Sequence, residues 1–64
     1  MRRTHWHGLL RAPDGRIVAG YALDATGAPT WWAVDDGSRR RKASSQREAQ
    51  GNAEEAARAH GWAP

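Results

Sequence analysis

Three glycine-terminated turn signals dominate the first half of the chain: Ala12-Pro13-Asp14-Gly15, Asp24-Ala25-Thr26-Gly27 and Asp35-Asp36-Gly37. Proline presets the first turn position, and glycine accepts the positive φ that closes such a loop. The segments between these signals read as strands of an antiparallel meander. Strands are expected over about 4–11, 16–23 and 30–35, with Arg16 to Leu23 the best of them. Residues 38–43 form either a short basic edge strand or a loop.

The second half reads as one helix over about 46–60. Ser45-Gln46-Arg47-Glu48 has capping-box spacing, with serine at the cap and glutamate three residues on. Ala49, Ala53, Ala56, Ala57 and His60 recur at helical spacing and make one stripe. Gly61 is placed to stop the helix, with Trp62 just beyond it. Gly51 and Asn52 weaken its middle by about 1 kcal/mol relative to alanine. The expected fold is therefore α+β: an antiparallel meander of three to four strands, with one carboxy-terminal helix packed on one face (β-β-β-α).

With 64 residues the chain fits one domain and has little core to draw on. There is no cysteine and no phenylalanine, so disulfides are excluded. Trp6, Trp31, Trp32, Trp62 and Tyr21 must then supply the large apolar surface. No apolar run approaches a membrane span. Arg2 and Arg3 lead into Thr4-His5-Trp6-His7 instead of an apolar signal core, and a cytoplasmic location is expected.

If each hairpin closes with a three-residue loop ending in glycine, the register follows. Leu10 then faces Val18, Gly8 faces Gly20, and Trp6 faces Ala22; across the second hairpin Gly20 faces Trp32 and Tyr21 faces Trp31. One sheet face would hold Trp6, Leu10, Val18, Ala22, Trp32 and Val34. The other would hold His5, His7, Leu9, Arg11, Ile17, Tyr21, Leu23 and Trp31. The first face, with two glycines beneath two tryptophans, suits close approach by an alanine-lined helix and is assigned to the core. The second is then open, with His7, Tyr21 and Trp31 side by side. A one-residue slip would exchange the faces and expose Trp6 and Trp32 instead. On either register an aromatic face is left for a partner.

Charge is uneven. Residues 1–45 carry eight Lys/Arg against four Asp, whereas residues 46–64 carry two Arg against three Glu, for a total of +3. A basic body of this kind suits a polyanion. Arg39-Arg40-Arg41-Lys42 is its sharpest element, able to contact phosphates or, alternatively, to charge an edge strand against aggregation. If this run is a strand, its side chains alternate and about two reach any one surface. Arg2, Arg3, Arg11 and Arg16 add to the phosphate-contacting set, and His7, Tyr21 and Trp31 are the candidates for contacts with bases or groove walls.

Enzymatic chemistry is not expected. Asp35 and Asp36 sit in a turn signal, Glu48, Glu54 and Glu55 fall on the helix, and there is no nucleophile–base–orienter set or phosphate loop. His5-x-His7 puts two imidazoles on one side of a strand, but His60 is expected on the far side of the sheet, so neither a metal nor a cofactor is implied.

The order of three strands and one carboxy-terminal helix resembles two DNA-binding families: the arm-site-binding domain of phage tyrosine integrases and the plant ethylene-response-factor domain. Glu54-Glu55-Ala56-Ala57-Arg58-Ala59-His60 is similar to the E-E-A-A-R-A-Y stretch of the latter. The chain lacks that family's arginine-rich first strand. The resemblance implies an open sheet face laid against DNA. The expected function is thus a small basic nucleic-acid-binding module, with DNA favoured over RNA, of the kind a phage or mobile element uses as an accessory protein. The alternative is a protein-interaction module, a homodimer or a docking or inhibitor protein, that uses the same aromatic face.

Overall fold

A computed structural model describes residues 5–64. Strands β1 (His7–Arg11), β2 (Ile17–Leu23), β3 (Pro29–Ala33) and β4 (Arg41–Lys42) precede helix α1 (Gln46–Arg58). The four strands pair antiparallel in chain order. This is the α+β meander with one carboxy-terminal helix. Thr4, where the first strand was expected to begin, lies outside the described residues.

The first two turns form as their sequences dictate. Ala12 N–H donates to the Arg16 carbonyl at 2.8 Å and Asp24 N–H to that of Ala28 at 2.8 Å. Gly15 and Gly27 close the loops at φ of 93° and 86°. The third turn differs. The strand expected over 30–35 stops at Ala33, because Val34–Asp36 wind into a 3-10 turn. Gly37 and Ser38 then both take positive φ, 68° and 61°, reversing the chain into the short β4.

Register is where the structure departs from expectation. Arg11 pairs with Ile17 but Leu10 pairs with Ala19, so Val18 is an extra residue in β2, a β-bulge. Beyond it every β1–β2 pair is shifted by one, and Gly8 meets Tyr21 instead of Gly20. The β2–β3 register is as expected, with Gly20 opposite Trp32 and Tyr21 opposite Trp31.

The bulge exchanges the faces of two strands and not of the third. Val18 and Ala19, in succession, are both fully buried. Leu10, Val18, Ala19 and Ala33 pack with Ala53 and Ala57 of the helix, and Tyr21 and Trp31 pack against that cluster. Tyr21 and Trp31, expected on the open face, thus lie on the helix side. There the Tyr21 ring covers Gly8 and stands 4.8 Å from Trp6. Trp32, Gly20 and Ala22, expected in the core, alternate onto the open side.

The helix fits so small a sheet because its buried stripe is alanine. Ala49, Ala53 and Ala57 have no exposed surface. At its start Ser45 Oγ accepts from Glu48 N–H at 3.1 Å, while Glu48 Oε1 accepts from Ser44 N–H at 2.7 Å. That last bond is the main reason the Glu48 carboxyl is held below its ordinary pKa. At the end, Trp62 N–H donates to Ala57 O and Gly61 N–H to Arg58 O, a Schellman closure with Gly61 at φ 90°. Gly61 also abuts Pro13, where a Cβ would stand 3.0 Å from the ring. The helix end is thereby docked on the first turn, and Trp62 folds back onto the core. No helix among the described residues is long and apolar enough to cross a membrane.

Candidate nucleic-acid interface

The face opposite the helix is built from two rows that run across the strands. Leu9, Gly20 and Trp32 are successive cross-strand partners, and so are His7, Ala22, Thr30 and Lys42. Leu9 is 53 % exposed, the one large apolar side chain in that state among the described residues. Trp32 is half-buried, because its ring lies directly on Gly20. A Cβ there would come within 2.6–2.8 Å of the indole, so this contact requires glycine.

The second row ends in cations. Thr30 is 2 % exposed. Its Oγ1 donates to the Ala22 carbonyl at 2.7 Å and accepts from Arg40 Nη1 at 2.9 Å. That bond holds the Arg40 guanidinium over the open face and is its one side-chain bond among the described residues. Lys42 stands beside it, opposite Thr30. The four strands contain Arg11, Arg41 and Lys42 but no acidic residue. Asp24, beyond the end of β2, has its carboxylate engaged by Thr26 Oγ1 at 2.6 Å and by the N–H groups of Thr26 and Ala28 at 2.8 and 2.9 Å. These bonds, the Thr26 hydroxyl first, hold its pKa low.

The basic run is divided as strand alternation requires. Arg40 and Lys42 serve the open face. Arg41 pairs with Trp31 on the helix side, its guanidinium 5.7 Å from the Trp31 ring. Arg41 Nε also donates to Asp36 Oδ2 at 2.8 Å, with Nη2 reaching the same oxygen. Arg39 is exposed before the strand begins. Of the other expected cations, Arg11 points to the open side but spends one donor on the Gly15 carbonyl at 2.8 Å, and Arg16 is paired with Asp14 at 2.8 Å. The Arg16 side chain is the main cause of the lowered Asp14 pKa. Arg2 and Arg3 lie outside the described residues.

Among the aromatic candidates, His7 is on the open face, whereas Tyr21 and Trp31 are not. Trp32, Leu9 and Thr30 are the residues the sequence reading left out of the site. The adjacent pair Trp31-Trp32 was the available signal, since alternation sends one of the two to each face whatever the register.

A shallow cleft of about 420 Å³ opens at the His7 end, lined by His5, Trp6, His7, Ala22, Leu23 and Asp24 among others. No group of three metal-ligating side chains is clustered among the described residues. His60, on the helix side, bonds Asp35 at 2.8 Å. Comparison with protein-family models, curated proteins and solved structures finds no match, so the functional argument rests on this geometry.

Proposed function

We propose that this chain is a small nucleic-acid-binding module whose open sheet face lies against a polyanion, with DNA the favoured form. A cytoplasmic accessory protein of a phage or mobile element is the setting this suits. One observation carries the reading: the open face joins Trp32 and Leu9 to Arg11 and Lys42, on strands that contain no acid, and to Arg40 held beside them by Thr30. Backbone phosphates supply most of the affinity in such complexes, and base or groove contacts supply the rest. Three phosphates neutralised by these cations give a slope of log K against log salt of roughly −2 to −3. A salt titration by fluorescence anisotropy measures it. A flat response, or no binding at low salt, removes this reading.

A protein partner is the second reading, favoured by Leu9 on edge strand β1, whose outer side has no strand beside it among the described residues. Such edges pair readily with another chain. Light scattering at two concentrations, with Leu9→Lys as control, reports self-association.

A further inference from the structure

We infer that the open face takes a single strand, with unpaired bases along the Leu9–Gly20–Trp32 row and the phosphodiester backbone along the His7–Ala22–Thr30–Lys42 row. The inference rests on the nucleic-acid reading above and narrows its substrate class. The two rows are registered by the same three strands and lie two residues apart, about 7 Å at strand rise. That is about the distance from the phosphate of a nucleotide to its base.

Their chemistry matches the two halves of a nucleotide. The first row offers an indole seated on glycine and an exposed leucine, a sequence-tolerant surface for π-faces. The second ends in Lys42 and a guanidinium fixed by Thr30, with His7 at the far end. In a duplex the base faces are already stacked. What a duplex shows this surface is phosphate, sugar and groove edge, and the Leu9–Gly20–Trp32 row offers no donor or acceptor to read an edge except the indole N–H. The cations alone are too few for tight duplex binding. The strand runs across the sheet, from the cleft beside His7 to Arg40, and covers a few nucleotides.

The test compares labelled oligothymidylate, oligouridylate and a DNA duplex of equal length at low salt. The expected result is that the single strands, of either sugar, bind at least tenfold more tightly than the duplex. Trp32→Leu then lowers single-strand affinity about tenfold and changes duplex affinity less than twofold. Leu9→Ser, at a solvent-exposed position, does the same in part, and guards against an effect of Trp32→Leu on folding. Arg40→Ala weakens both ligands alike. Equal or tighter duplex binding, or indifference to both apolar substitutions, overturns the single-strand inference and leaves the general reading standing. Absence of binding to all three ligands overturns both.

Discussion

Thr30 joins the interior to the candidate interface within one side chain. Its hydroxyl closes a bond to β2 and positions Arg40, and it is almost wholly buried. Thr30→Val keeps the shape and removes both bonds. A net hydrogen bond is worth about 1 kcal/mol, so stability should fall by about 1–2 kcal/mol in urea unfolding. The variant should also bind oligonucleotide more weakly, because Arg40 is no longer held over the face. Stability lost with affinity unchanged would place Arg40 outside the interface. At this scale the sequence was informative about type more than about role. Alternation dictated that the four-residue basic run would divide between two surfaces, and it does, with Arg41 drawn to Asp36 and Trp31. That Thr30 would decide where Arg40 points was not legible, because it requires a contact between residues ten apart across a strand pair.

The individual elements were largely written in local chemistry. Turn residues set the hairpin loops, Ser45 and Glu48 set the helix start, and Gly61 set its end. Each depends on neighbours within a few positions. The bulge at Val18 does not. Ile17-Val18-Ala19 is an unbroken apolar run, so nothing in its pattern marks the residue that steps out of register. It forms because Val18 and Ala19 are both buried on the helix side. The same reason explains why Tyr21 and Trp31 were assigned to the wrong side while Leu10, Leu9 and His7 were not. The helix makes its own demand: the three fully buried alanines define how closely it approaches the sheet. Ala53→Leu should therefore cost more than ordinary overpacking, about 3 kcal/mol or more, because neither backbone can yield. Thermal unfolding by circular dichroism measures this. A cost under about 1 kcal/mol would mean that the helix rides looser than its buried alanines indicate.

Over the whole molecule, burial is thin. Among the described residues the buried apolar ones are Leu10, Val18 and six alanines, and an alanine methyl contributes only about 0.8 kcal/mol on leaving water. Local polar closures then matter to overall stability. The carboxyls of Asp24 and Glu48 both have native pKa values below their ordinary ones, through bonds to Thr26 and Ser44. Their contribution is fully present above the ordinary carboxylate range and is lost as pH falls through the depressed native values. The urea midpoint should drop over that acidic window, and Asp24→Asn should flatten part of the fall. A midpoint constant from neutral pH down through the carboxylate range would show that these bonds contribute nothing. The β-bulge has a consequence for how such a chain can diverge. Loss of the single codon for Val18 would leave every turn signal and the helix intact and would remove the bulge while keeping the pairs on both sides of it, so Leu9, Gly20 and Trp32 would stay in one row. Regular pairing with Val18 retained would instead set Leu10 against Val18 and Gly8 against Gly20, and Leu9 and Trp32 would part. The binding face thus needs the bulge only while the extra residue is present, and close descendants of this fold could differ in strand length here while agreeing at every interface position.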